Sequence, residues 1–156
     1  VLGFRINTTD SIPKGVYRII QKTPEKGDYV LFCPPDKPVF RDALQRGYLS
    51  IGFCKGGLGK MMKKLAAASG DRITINSDGV WVNEQKWPDS TPYQKDEVGR
   101  ALPKKALINR KLAKNEVLLM GEHSASFDGR YFGVVTQDAQ FKTIQHIQIV
   151  DVKPIF

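Results

Sequence analysis

At 156 residues, 41% of them apolar and 26% charged, the chain is long enough for one domain with a real core, and its composition excludes a disordered polypeptide. Its 24 Lys plus Arg outnumber 16 Asp plus Glu, and the net charge of +8 favours an anionic partner: nucleic acid, an acidic substrate or an anionic lipid surface. The basic residues form no single block and are not interleaved with aromatics as on a stacking platform, so no nucleic-acid partner is expected.

The chain opens with "VLGF", which reads as the tail of something longer, and a membrane anchor upstream of Val1 is the expectation. Within the sequence itself no apolar run approaches the roughly 18 residues that span a bilayer, and no signal peptide is present. Next comes "NTTDSIPKGVYRI", residues 7–19, with Ser11 just before an Ile-Pro turn. Serine beside Pro and Gly ordinarily shapes a turn through its own backbone, and the alternative is a nucleophile.

Strand-like runs follow, rich in Val, Ile, Tyr and Phe and bounded by Gly, Pro, Asn and Asp: residues 16–20, 28–32, 72–75, 80–82, 116–120, 133–135 and 144–152. "RITINSDGVWV" is predicted to be a hairpin turning at Asp78-Gly79. Only "DKPVFRDALQRG" has helical character, with Asp36 as the cap, Val39, Phe40, Ala43 and Leu44 on one side and Gly47 as the stop. Residues 84–115 change character, with clustered Lys and Pro and little periodicity, and are read as a polar insertion into a single domain spanning residues 1–156.

Cys33 and Cys54 show no CxxC spacing and no neighbouring His cluster, so no metal is expected. The count alone leaves them open between reduced buried thiols, as in a cytosolic protein, and a disulfide, as in an exported one. The two histidines show no ordering with Ser and Asp that suggests a triad: His146 falls in an alternating strand pattern suited to packing, and His123 in the polar loop "GEHSASFDGRYFG". A lysine can replace histidine as the base for a serine nucleophile. An ordinary lysine is protonated at neutral pH, and burial among apolar groups is what lowers its pKa. Lys63 and Lys64 lie between Met61-Met62 and Leu65-Ala66-Ala67-Ala68; on a strand only one of the two can face the serine.

At these residues the chain resembles the bacterial type I signal peptidase family. "DSIPKGVY", "KGDYVLF", "KKLAAASGD" and "SFDGRYFG" occur in the order and approximate spacing of its boxes, from Asn7 to Val135. The resemblance is closest to the TraF-type branch, which processes pilin subunits in conjugative plasmid transfer, and extends to "GRALP" at Gly99 to Pro103. It implies a mainly β, signal-peptidase-like fold related to that of the LexA repressors, with a short helix, and a Ser-Lys endopeptidase needing no cofactor. By position it implies Ser11 as nucleophile and Lys63, eight residues before Asp71, as general base. Lys64 matches the neighbouring position that points away. Thr9 resembles the residue whose hydroxyl joins the Ser11 N–H in binding the oxyanion. Ser126 matches the residue that orients the lysine, and Asp128 with Arg130 the pair that holds the last loop. Gly129 stands where the branch usually has Ser.

The implied substrate is a pilin precursor or other exported pre-protein, cleaved after small residues or joined into a ring by its own terminal amine. The implied location is the periplasmic face of the inner membrane, beside anionic lipid, where a Cys33–Cys54 disulfide is expected. Rival readings are a general type I signal peptidase, a LexA-type self-cleaving repressor, which lacks the "SFDGRYFG" ending, and a non-catalytic basic adaptor for anionic surfaces.

Overall fold

The computed structural model describes residues 3–147. In chain order the strands and helices are β1 (Phe4–Asn7), β2 (Gly15–Ile20), β3 (Tyr29–Phe32), α1 (Pro38–Gln45), β4 (Met61–Ala67), β5 (Arg72–Asn76), β6 (Gly79–Val82), β7 (Gln85–Lys86), β8 (Leu107–Lys111), β9 (Glu116–Met120), α2 (Gly129–Phe132), β10 (Val135–Thr136) and β11 (Lys142–His146). The fold is mainly β. Seven strands form one antiparallel sheet in the order β1-β2-β11-β3-β4-β9-β10, and four form a second in the order β7-β6-β5-β8.

Alternation of apolar residues produces these strands, and burial on both faces marks the central ones. Val30 and Phe32 of β3, Leu65 of β4 and Leu119 of β9 pack under Phe40 of α1. Ala66 and Ala67, beyond an irregularity in the β4–β9 pairing between Leu65 and Ala67, join Ile73, Ile75, Val80, Leu118 and Met120 in a second core. The irregularity lets the consecutive residues Ala66 and Ala67 face the same core, which strict alternation forbids. A third cluster of Ile12, Tyr17, Leu31 and Ile144 lies beneath the turn that carries Ser11.

Several local expectations are corrected. The cap of α1 is Lys37, with no side-chain bond, because Pro38 supplies the first turn; Asp36 instead pairs with Arg41 at 3.2 Å. The β5–β6 hairpin turns at Ser77-Asp78, where Asn76 Oδ1 accepts the Asp78 N–H at 2.8 Å; Gly79, at φ +152°, already pairs with Asn76. Local side-chain bonding moved the turn by one residue. Residues 133–135 contribute only Val135 to a strand, because the preceding residues wind into α2. The last strand begins two residues earlier than expected and ends at His146; residues 148–152 of the expected run lie outside the described residues. Residues 84–115 supply β7 and β8 to the smaller sheet.

The two Gly-Asp pairs close turns. Asp28 accepts the Glu25 N–H at 2.9 Å, and Asp71 accepts the Ala68 N–H at 2.9 Å and the Asn83 amide at 2.7 Å. Cys33, after β3, and Cys54, beyond α1, form a disulfide that encloses the helix. Closing a loop of 21 residues stabilises a domain by about 3 kcal/mol on the chain-entropy model. Protein folded under oxidising conditions is expected to yield no titratable thiol on denaturation. Cys54→Ser is expected to lower stability by about that amount in urea unfolding.

Candidate active site

Three separate elements converge on one point. The β1–β2 connection carries Ser11, β4 carries Lys63, and the loop after β9 carries Ser126. Lys63 Nζ lies 2.7 Å from Ser11 Oγ and 3.2 Å from Ser126 Oγ, and the two hydroxyls are 3.0 Å apart. The register of β4 against β3, with Lys63 opposite Val30 and Lys64 opposite Tyr29, turns the first lysine toward Ser11 and the second to the opposite face. Lys64 there reaches Glu122 at 3.9 Å and lies over the Tyr29 ring.

Lys63 is only 5% exposed. Burial lowers its pKa to about 8, the Asp128 carboxylate opposes that shift, and the Arg130 guanidinium adds to it. Below that pKa the ammonium donates to both serines. Above it the lone pair receives the Ser11 hydroxyl proton while an N–H still reaches Ser126. The arrangement can deprotonate a serine near neutral pH, and the serine opens onto a cleft of about 930 Å³.

The Ser11 turn is held from within by Asn7, which is buried at the end of β1. Its amide NH2 faces the carbonyls of Thr9, Ile12 and Pro13 at 3.0, 2.9 and 3.1 Å, and its Oδ1 accepts from the Thr9 N–H and hydroxyl at 3.1 and 2.8 Å. The Thr9 hydroxyl is therefore directed at Asn7. Sequence reasoning passed over Asn7; its only signal was an amide four residues before the serine in a turn-forming stretch. On the far side, the Glu122 N–H donates to the Ser11 carbonyl at 2.6 Å. Gly121 is pressed against both serines: a Cβ there would lie 2.0 Å from Ser126 Oγ and 3.1 Å from the Ser11 carbonyl oxygen.

Asp128 and Arg130 form a buried ion pair behind Ser126, with both side chains fully shielded. Asp128 caps α2 and accepts from the Gly121 N–H at 2.8 Å and from Arg130 Nε and Nη2 at 2.8 and 2.9 Å. The guanidinium also donates to the carbonyls of Asp89, Ser124 and His123. Gly129 packs so closely on β9 that a Cβ would meet Leu118 Cδ1 at 2.5 Å, so a serine there requires the Leu118 side chain to shift. The histidines are engaged elsewhere. His123 Nδ1 accepts the Ala125 N–H, and His146 stacks on Tyr17 at 4.8 Å.

Comparison with known proteins gives consistent matches. Residues 4–147 match the signal peptidase family, peptidase S26. The chain is 50% identical over 143 residues to a plasmid transfer protein TraF of Escherichia coli, covering 91% of this chain and 80% of that protein. A second Escherichia coli plasmid transfer protein TraF is 45% identical over 146 residues, covering 93% and 82%. A conjugal transfer protein TraF of Agrobacterium tumefaciens is 36% identical over 136 residues, covering 85% and 75%. A signal peptidase I structure from Enterococcus faecalis aligns with 80% of this chain and 97% of its own, at 14% identity and a TM-score of 0.43.

The buried pair makes a stability prediction. Asp128→Ala leaves the Arg130 charge buried without its carboxylate and is expected to cost about 3–5 kcal/mol in urea unfolding. Replacing both residues by apolar ones of similar volume is expected to recover much of that loss.

Proposed function

Since the chain belongs to the signal peptidase family, peptidase S26, we propose that it is a serine endopeptidase with Ser11 as nucleophile and Lys63 as general base. Its substrate is an exported pre-protein, specifically a pilin precursor of conjugative transfer. The observation that carries this reading is the 2.7 Å approach of Lys63 Nζ to Ser11 Oγ at an amine whose burial keeps its pKa near 8. A basic adaptor has no use for a desolvated lysine against a serine, and burying one is costly.

In this mechanism neutral Lys63 takes the Ser11 proton as Oγ attacks the peptide carbonyl. The Ser11 N–H, joined by the Thr9 hydroxyl once it turns from Asn7, donates to the developing oxyanion. Collapse expels the amine, which takes the proton from the Lys63 ammonium, and leaves an ester on Ser11. Lys63, neutral again, then deprotonates water for cleavage, or the substrate's own terminal amine for cyclisation. Ser126 orients Lys63, and Asp128 with Arg130 holds the loop that carries it.

Residues 1–156 act as one catalytic domain that includes residues 84–115. The relatives' names as plasmid and conjugal transfer proteins support the pilin assignment. The disulfide suits the oxidising periplasm, and the +8 charge suits a position against anionic lipid.

Labelling with a serine-directed acylating probe tests the dyad. Ser11 is expected to be modified, with a rate rising about tenfold per pH unit up to about 8 and levelling above, because only the neutral amine accepts the proton. Lys63→Ala is expected to slow labelling by about 10²–10⁴-fold while Lys64→Ala stays near wild type. A flat pH profile, or equal rates for the two variants, removes the lysine base. Mass analysis of products from pilin precursors separates cleavage from cyclisation, which loses one water from the joined segment.

A further inference from the structure

"GRALP", residues 99–103, has no part in the dyad, yet it lies beside it. Residues 94–102 form a small hairpin: the Leu102 N–H donates to the Gln94 carbonyl at 2.9 Å, the Asp96 N–H to the Arg100 carbonyl at 2.8 Å, and Lys95 bridges Ala101. A short polar hairpin is at best marginally stable alone. This one is latched to the segment that follows α1. The Tyr48 hydroxyl donates to Asp96 Oδ2 at 2.5 Å. Arg100 Nε donates to the same oxygen at 2.7 Å, and its guanidinium lies 5.9 Å from the Tyr48 ring centre. Asp96 Oδ1 takes the Val98 and Arg100 N–H groups at 3.0 and 2.8 Å. Arg46 closes the latch by donating to the Ala101 carbonyl at 2.7 Å. Desolvation opposes the Asp96 charge, but the bonds from Tyr48 and Arg100 outweigh it and hold the carboxyl below the usual range.

What the latch positions is a wall of the cleft onto which Ser11 opens. Asp96, Glu97 and Val98 line that cleft together with Ile6 of β1, Ser11 and Lys63. Val98 and Ile6 are each 72% exposed, large apolar side chains left mostly in water in the cleft that Ser11 also lines. Such residues mark a binding groove, and its continuity with Ser11 identifies the occupant as the peptide that acylates the serine.

We propose that the 94–102 hairpin is the substrate-binding wall of this enzyme, with Val98 contacting side chains of the bound peptide and Tyr48, Asp96 and Arg100 acting as positioning residues that hold it over the cleft. The inference rests on the assignment of Ser11 as nucleophile. The hairpin does no chemistry; it sets which extended chains reach the serine.

Two reagents separate this role from the chemistry: a small alkyl fluorophosphonate, which needs only an activated serine, and a peptidyl phosphonate ending in Ala, which must also occupy the groove. The readout is the ratio of the two inactivation rate constants, which does not depend on the active fraction of a preparation. Val98→Ser and Arg100→Ala are each expected to lower the ratio of peptidyl to small-reagent rate about tenfold, the scale of one lost apolar subsite contact. Arg100→Lys, which keeps the charge but loses the planar fork, is expected to fall between Arg100→Ala and wild type. Ratios equal to wild type in Val98→Ser and Arg100→Ala overturn the proposal, because a merely structural hairpin leaves the ratio where it was. A wild-type protein that reacts with neither reagent overturns the assignment of Ser11, and this inference with it. A Lys63→Ala variant that loses both rates while Val98→Ser shows no change in the ratio overturns the wall alone.

Discussion

Burial of one amine is the constraint on which the rest of the molecule depends. An ammonium group in water is stable and useless as a base, and only removal of water brings its pKa to about 8. That removal needs a strand with neighbours on both sides, and β4 has them in β3 and β9 in the interior of the seven-stranded sheet. It also needs polar partners, because a buried amine with none is too costly to keep. Ser11 and Ser126 supply them, so that among the described residues no buried side-chain nitrogen or oxygen lacks a hydrogen bond.

The partners must come from distant parts of the chain. Ser126 is 115 residues from Ser11, and each sits on a loop that apolar packing alone does not hold. Each loop therefore has an internal polar brace. Asn7 knits the turn before and after Ser11, and the Asp128–Arg130 pair gathers the carbonyls of His123, Ser124 and Asp89 around the Ser126 loop. Buried polar networks of this kind contribute less to net stability than apolar residues of equal volume, but they hold one geometry. The Tyr48–Asp96–Arg100 latch applies the same principle at the rim of the cleft, where partial exposure makes each bond weaker and the arrangement easier to tune.

The disulfide and the helix address a different problem. Between β3 and β4 the chain leaves the sheet for α1 and a glycine-rich loop that is poor in buried apolar groups, and Cys33–Cys54 shortens that excursion in the unfolded ensemble as well as in the fold. The base of the same loop, at Ser50 and Lys60, forms part of the cleft. A constraint on loop entropy thus also steadies one side of the site.

Period-two patterning, with Val, Ile, Tyr and Phe between turn residues, was enough to place most strands and the mainly β class, because alternation is a local property of each segment. It left β1, β7 and β8 unrecognised, since Phe4–Asn7, Gln85–Lys86 and Leu107–Lys111 are too exposed to show a clear apolar face, and it left β4 only conditional, since Met61–Ala67 carries two lysines and ends in a continuous buried run without alternation. Ser11 and the pair Lys63-Lys64 were readable as candidates by residue type, while the choice of Lys63 and the roles of Ser126, Asp128 and Arg130 came from the family resemblance. The geometry was not readable from residue type, because alternation says that Lys63 and Lys64 face opposite ways without saying which one faces Ser11. The pairing register of β4 with β3 and β9 decided that, and register is a relation between segments far apart in sequence. For the same reason the latch between Tyr48, Asp96 and Arg100 left no periodic trace, since a hydrogen bond between residues that meet only after folding has no signature in either segment alone; the five bonds of Asn7 are local, but an irregular turn has no periodicity to reveal them.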